Sequence, residues 1–450
     1  HRWTRRFGSG LGVPHVQACA ERALVLSMLE RAMYRAHVAA MAGYAAALWL
    51  ADRLLGHQRA RAWRAMRRQD ADLARWASGQ TASSILWFHC ASLGEYEQAR
   101  PVMAALRAIE PDRPFLLTFF SPSGHTPVAR RKPEFWRKGT DHLAALPLDT
   151  PRAVRTFLRP LHGKLALFAT VKYEVWPVLL EALAAAGTPT AIFAAHIPSA
   201  HWLAKWWAAP YRTAWRRFSP LLVQTAESTS RLASLGIEGA EPAGDPRADR
   251  VLEIVAQAPT FPGLQAWRSG RFTVVAGSTW PAEEAALLAD PPARLVLVPH
   301  DLSPAHLAQI KQQLHAHGLK YLFTTETGGA LSAAPAGDVE VVVVDEMGLL
   351  AGLYALADVA VVGGGWGVGI HNTLEPAAHG IPVMTGPNIA RFQEAQNLRE
   401  SGALRVAEKP ENLMREAKAF ASDAGEKALA FVASSRGSAE RIAKRLQQVI

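Results

Sequence analysis

The residues best suited to chemistry lie in two short stretches. In Ala91-Ser92-Leu93-Gly94-Glu95 a carboxylate follows a glycine where an apolar run gives way to helical periodicity. A strand-to-helix turn of that kind projects an acid out of the sheet, and a projected carboxylate can take the proton of an attacking hydroxyl. The same position suits a helix cap, since acids are favoured in the first turn. The residues alone leave both readings open. Glu174 carries a similar pair: it orients an acceptor or supports Glu95, or it is a surface acid beside a packed Trp176. Glu97 falls on the predicted helix and is expected to face solvent.

The second stretch is Val359–Pro387, VAVVGGGWGVGIHNTLEPAAHGIPVMTGP. A strand runs into Gly363, Gly364 and Gly365, and Gly367 and Gly369 follow. Glycines after a strand let backbone amides approach a phosphate closely. Asn372 stands where a helix would start, and a helix N-terminus favours a phosphate through its free N–H groups and dipole. Glu375, one turn on, can accept both hydroxyls of a ribose. A glycine cluster by itself is weak evidence; the order strand, glycines, HN, LEP, GIPVMTGP is the specific part. No acidic pair is present to hold a divalent ion, so no metal and no other cofactor is expected.

These stretches need a scaffold. At 450 residues the chain is too long for one ordinary core and suits two α/β domains plus an extension. From about Ser84, short apolar runs alternate with helical periodicity, the βαβ pattern. Strands are predicted at Ile85–Ala91, Phe115–Phe120, Leu165–Ala169, Thr190–Ala194 and Leu221–Gln224, with a helix over Gln98–Ile109. A second series runs through Thr273–Gly277, Leu295–Pro299, Val339–Val344 and Val359–Val362, after Pro- and Gly-containing text at Ala256–Gly263. The expected α/β architecture is a helical segment over 1–80 and two Rossmann-like domains, 81–255 and 256–450, facing each other across a cleft. Ligands in such sheets sit at the carboxyl ends of the strands.

The formal net charge is +10 and the pI about 9.8, which points to an acidic partner. No nucleic-acid module is visible, so an anionic membrane or a phosphorylated substrate is the expectation. Val38–Ala51 (VAAMAGYAAALWLA) holds fourteen residues without a charge. That is short of the roughly 20 that span a bilayer, so a helix lying in the interface is expected. Tyr44 and Trp49 suit its headgroup boundary, and Arg53, Arg59, Arg61, Arg64, Arg67 and Arg68 would meet anionic lipid. The competing reading, a helix packed on the body, leaves that arginine run unexplained. Cys19 and Cys90 are read as packed thiols in a reducing compartment. His89 reads as a satisfied core residue, His196 and His201 have no metal spacing, and Trp202, Trp206, Trp207 and Tyr211 read as a helical stripe for core or membrane-facing packing rather than sugar stacking.

The ordered motifs resemble those of the transferases of 3-deoxy-D-manno-octulosonic acid (Kdo), which build the inner core of lipopolysaccharide. The family's GGSxxxxGGHNxLEPA stretch, G-x-P-x-x-x-GP strand and downstream NF are similar to GGGWGVGIHNTLEPAAHGIPVMTGPNIARF, ending at Phe392. Ser92–Glu95 resembles its S-x-G-E, Thr118–Gly124 its TTxTxTG, and Tyr173–Pro177 its TELWP. Ala243–Asp249 resembles GNxKFD, Val275–Glu284 resembles AxSTHxxEE, and Asp345–Leu349 resembles DTMGEL. The likeness covers about residues 30 to 440 in the family's order. It implies the GT-B fold and transfer of Kdo from CMP-Kdo to a lipid A precursor with inversion, at the cytoplasmic face of the inner membrane. It makes Glu95 the base, with Glu174 beside it. It places Ser278, His300, Met347, Gly348, Gly369, His371, Asn372 and Glu375 on the donor, and Arg247 in support of its phosphate. Departures are local: His300 stands where the family's PRH has arginine, Arg247 where it has lysine, Lys172 where it has the first glutamate of ETELWP, and Gly365 where it has serine. A UDP-sugar transferase would share the glutamate after the HN loop but lack the S-x-G-E string. An inactive nucleotide-sugar-binding membrane scaffold would be expected to lack Glu95.

Overall fold

The computed structural model describes residues 13–67, 70–198, 201–327, 334–367, 369–420 and 423–450, and for 13–27 and 70 the backbone alone. Cys19, Arg68 and Val368 therefore lie outside the residues whose side chains are described. Two compact units result, one of residues 1–246 with 438–450, the other of residues 247–437. The boundary falls at Pro246, ahead of the expected linker text. The final helix, Ser438–Gln447, belongs to the first unit rather than the second: Ile442, Ala443 and Leu446 are buried in the first unit's core.

The first unit begins with helices α1 (Val13–Leu55), α2 (Gln58–Ala65) and α3 (Asp70–Ser78), then alternates strands with α4 (Leu93–Ile109), α5 (Pro122–Arg130), α6 (Pro151–Leu158) and α7 (Pro177–Ala185). Its strands are β1 (Ile85–Cys90), β2 (Phe115–Phe119), β3 (His142–Ala145), β4 (Leu165–Val171), β5 (Thr190–Ala195), β6 (Leu221–Val223) and β7 (Ala240–Pro242). They form one parallel sheet in the order β3-β2-β1-β4-β5-β6-β7. Successive residues of β1 face opposite sides. Ile85 and Trp87 join one core, Leu86, Phe88 and Cys90 the other, so every residue of the strand is buried. A sheet covered on both faces demands such continuous apolar runs. Helix α4 starts at Leu93, before the predicted Gln98, because Ser92 supplies an N-cap.

The second unit repeats the plan with β8 (Thr273–Thr279), β9 (Arg294–Pro299), β10 (Tyr321–Phe323), β11 (Val341–Val343), β12 (Val359–Val362), β13 (Val383–Thr385) and β14 (Leu404–Val406). The order is β10-β11-β9-β8-β12-β13-β14, again parallel. In each sheet the chain reverses its direction of travel between two central strands, β1 and β4 in the first, β8 and β12 in the second. A crevice opens at the carboxyl ends there, and it is where doubly wound sheets bind ligands. Both chemical stretches fall at these two points.

The N-terminal helix differs from expectation. It runs for 43 residues, and Met28–Leu55 is long and apolar enough to cross a membrane by length and composition. Ala, Leu, Met and Arg are all strong helix formers, so the charges at Glu30, Arg31 and Arg35 interrupt the apolar stretch without ending the helix. One side of α1 is docked on the first unit. Tyr34 and Val38 pack against its core, Tyr44 meets Trp63 edge-on, and the buried His37 contacts Tyr211 at 2.8 Å and Asp149 at 2.7 Å. The other side and the C-terminal end stay exposed: Met28, Leu29, Trp49, Leu50, Leu54 and Leu55. The arginine run is divided as well. Arg61 and Arg64 pair with Asp52, and Arg67 is sandwiched between Trp63 and Phe120, while Arg53, Arg59 and the paired Arg61 stay exposed. The tryptophan stripe forms two 3₁₀ turns, Trp202–Ala204 and Trp206–Ala208, ahead of a helix, with Trp206 and Trp207 exposed.

Candidate active site

In the first unit the turn after β1 presents Glu95 and the turn after β4 presents Glu174. Glu95 occupies the third position of α4. One oxygen accepts the Ser92 amide at 3.0 Å and the Ser92 hydroxyl, which is the capping geometry. Its other oxygen lies 3.9 Å from the Lys172 ammonium, so it remains available beyond the cap. Gly124, at the start of α5, packs so tightly here that a Cβ would lie 2.9 Å from the Ser92 carbonyl carbon and closer still to the Phe119 ring. The TFFSPSG segment thus needs glycine to approach the Glu95 turn. Glu97 is half-buried rather than solvent-facing.

Glu174 is the perturbed acid. Burial, and then the charge of Glu95, push its carboxyl up to about 7, against a smaller pull from Lys172. His89 stands 4.0 Å away, fully buried. Its Nδ1 faces the Thr118 carbonyl at 3.2 Å, an atom that only accepts, so Nδ1 carries the ring proton. Burial holds this imidazole down to about 3, so the approach to Glu174 is no ion pair. Cys90 is buried nearby, its thiol raised by burial and by both glutamates, which makes it an inert packing residue.

In the second unit β8 ends in a bulge. Ser278 takes φ 52°, and the register slips between Gly277 and Thr279. Gly363 lies against that bulge: a Cβ there would be 2.2 Å from the Ser278 carbonyl oxygen. The following glycine amides are not free for a phosphate. The buried Glu283 accepts Gly364 N–H at 2.8 Å, Gly365 N–H at 3.1 Å and the Trp280 amide at 3.1 Å. Its buried neighbour Glu284 accepts the Thr279 hydroxyl at 3.0 Å and contacts His306 at 3.1 Å. Glu283 of the STW-containing stretch therefore builds the loop, and Glu284 ties Thr279 to His306 behind it. The sequence signal was their adjacency, in a helix whose other face is apolar.

The HN-LEP segment forms a helix of one turn, Leu374–Ala378, with Thr373 as its N-cap. Asn372 sits one residue earlier than expected. It accepts the Leu374 amide at 3.0 Å and donates to Glu375 at 2.9 Å. So short a helix contributes little dipole, and what the segment offers a ligand is its side chains. Burial raises the Glu375 carboxyl, with Asn372 opposing. Trp280, His300 and His371 form an aromatic wall, with ring centroids 4.8 Å and 4.6 Å apart along the series. The indole N–H of Trp280 donates to His371 Nε2 at 3.3 Å, so the neutral His371 carries its proton on Nδ1. Burial and the neighbouring His300 lower the His371 pKa. Gly369, at φ 114°, packs on Phe392. Met347 is 84% exposed on the turn after β11, where Gly348 has φ 87°, and Leu350 beyond them covers Gly277 at the end of β8. Arg247 begins the helix Arg247–Gln257 and pairs with Glu394 at 3.0 Å. The structure thus gathers Ser278, His300, His371, Asn372 and Glu375 at the carboxyl ends of β8, β9 and β12, and leaves Arg247 engaged by a carboxylate.

Residues 59–250 match a family described as 3-deoxy-D-manno-octulosonic-acid transferase (kdotransferase). A 3-deoxy-D-manno-octulosonic acid transferase of Bordetella pertussis is 31% identical over 325 residues, covering 69% of this chain and 73% of that protein. Its counterpart in Haemophilus influenzae is 29% identical over 324 residues, covering 69% and 72%. Among solved structures, a UDP-N-acetylglucosamine 2-epimerase superposes with a TM-score of 0.53 at 13% identity, covering 81% of this chain and 94% of that one, a likeness of fold alone.

Proposed function

This chain belongs to the Kdo transferase family and is a glycosyltransferase of GT-B type, and on that premise we propose that it carries Kdo from CMP-Kdo to a hydroxyl of a lipid A precursor. The donor binds the second unit. Its ribose hydroxyls meet Glu375, supported by Asn372, and its phosphate meets the His300 and His371 imidazoles, with Ser278, Met347, Gly348 and Gly369 shaping the pocket and Arg247 in support. The acceptor meets the first unit. Glu95 takes the hydroxyl proton, the acceptor oxygen bonds to the anomeric carbon, and that carbon's bond to the CMP phosphate oxygen breaks with inversion. CMP leaves with the electron pair. Glu174, whose carboxyl burial pushes up to about 7, is positioned beside Glu95 and in its ionised form takes the proton on from it.

The observation that supports this reading is a pair of carboxylates at the β1–β4 switch point, one of which, Glu174, burial pushes up to about 7. Acid–base work at neutral pH needs that poise. The reaction takes place at the cytoplasmic face of the inner membrane, with the exposed end of α1, Arg53 and Arg59 against the lipid. The test is incubation of the full chain with CMP-Kdo and a tetra-acylated lipid A precursor, reading product mass. No mass gain of Kdo on the lipid, with CMP-Kdo intact, would sink the reading.

A further inference from the structure

A cavity of about 410 Å³ opens in the first unit between α2–α3 and the β3–α6 segment. That is a volume typical of small-ligand sites. Its wall is mostly apolar, with Leu73, Leu146, Leu148 and Phe157 among the lining residues, and Arg67 and Arg152 line it as well. Neither arginine has a carboxylate partner among the described residues. Arg67 is the unusual one. Its guanidinium lies 3.5 Å over the Trp63 ring and 4.9 Å from the Phe120 ring, and it donates to the carbonyls of Trp63 and Phe120 at 3.2 and 3.0 Å. Its Nε is buried without an acceptor, and burial lowers the group to about 9. A half-buried cation that lacks a counter-charge is costly. An anion entering the cavity would relieve it.

The surroundings on two sides say what kind of anion. Phe120 stacks on Trp176 at 4.9 Å, Trp176 lies 6.0 Å from His89, and His89 lies 4.0 Å from Glu174. The Arg67 wall of the cavity is thus joined, through Phe120, Trp176 and His89, to the carboxylates after β1 and β4 in the same unit. On the other side, Leu48 of α1 packs on the same cluster as Trp63 and Met66, next to the exposed Trp49, Leu54 and Leu55. We propose that the cavity seats an acyl chain of the acceptor while its phosphate rests on Arg67 and Arg152. The occupant is therefore an anionic amphiphile drawn from the membrane surface. This rests on the acceptor reading above and adds to it a defined acyl–phosphate subsite.

The test uses the full chain in nanodiscs with a phosphatidic acid bearing a diazirine in its acyl chain, and peptide mapping of the adduct. Label is expected on residues 144–157, displaced by the tetra-acylated lipid A precursor and not by inorganic phosphate. Arg152→Gln and Ala153→Trp, which remove a charge and fill the cavity, should each cut labelling and raise the acceptor KM about tenfold, the scale of one charged contact. kcat and CMP affinity should stay unchanged, which also certifies folding. Label confined to the exposed end of α1, an unchanged acceptor KM in both variants, or label that the lipid A precursor fails to displace would each overturn the proposal. Labelling does not require turnover, so a chain that makes no Kdo product but labels the cavity would sink the reaction and leave the subsite standing.

Discussion

Glu174→Gln separates the electrostatics of the acidic pair from its packing. In the wild type the carboxyl is raised from 4.5 to about 7, first by burial and then by Glu95. A raised folded value means that the contribution to stability is complete below the unfolded value and is lost as pH climbs through the folded one. Across that interval the ionised form costs about 3 kcal/mol, reduced somewhat because 21% of the side chain remains exposed. The glutamine keeps the shape and cannot ionise. The variant should therefore match the wild type at pH 4 and exceed it by about 2–3 kcal/mol at pH 8.5, with most of the gap opening between pH 4.5 and 7. Groups that do not interact with Glu174 are common to both proteins and cancel in the difference, and the coupling to Glu95 is already contained in the rise of the Glu174 carboxyl. Urea unfolding of both proteins at four pH values, following the transition that carries the first unit, measures it. A stability difference that is flat from pH 4 to 8.5 would refute the reasoning, because it would mean that Glu174 is solvated or already paired.

Glu95→Ala should lower transfer by roughly 10²–10⁴-fold and also cost the first unit about 1 kcal/mol of helix capping. Glu95→Gln retains an oxygen for the Ser92 amide, so it should keep the stability and lose the turnover; a brisk Gln variant would remove Glu95 as the base. Asn372→Ala and Glu375→Ala should each weaken CMP binding about tenfold, by stripping a partner from a ligand group, and calorimetry that finds wild-type affinity would contradict the placement of the ribose. Glu283→Ala strands the Gly364 and Gly365 amides, at about 1–3 kcal/mol for a buried donor. Faster hydrogen exchange at those two amides is expected, and unchanged protection would show that the carboxylate does not organise the loop. At the membrane, replacing Trp49, Leu54 and Leu55 with serine should reduce co-sedimentation with anionic vesicles at every salt concentration. Arg53→Glu with Arg59→Glu should do so only at low salt, since the Debye length shrinks to about 3 Å at 1 M. Equal pelleting of both variants with the wild type would put the anchor elsewhere.

What the sequence determined by itself was local. Fully buried strands such as β1 and β4 are legible because a sheet covered on both faces admits only apolar runs of five to seven residues. The turns that follow them are legible because Ser, Gly, Asn and acids in order restrict the backbone to a few shapes. The two halves, the switch-point carboxylates and the HN-LEP loop therefore stood in the text. The edge strands β3, β7, β10 and β14, of three or four residues, did not. Strands so short gain their hydrogen bonds from a neighbour remote in sequence, and nothing in their own residues announces it. The same holds for the side chains whose partners lie far along the chain. Arg67 reads as one more arginine of an exposed run until Phe120, 53 residues on, covers one face of its guanidinium and sets it in the cavity wall. The glycine amides read as a phosphate cradle until Glu283, about 80 residues earlier, fills it. The return of Ser438–Gln447 to the first unit is of the same kind. Composition and spacing constrain what each segment can do alone; which charge meets which cavity is decided only when packing brings distant segments within a few ångströms, where desolvation outweighs local preference.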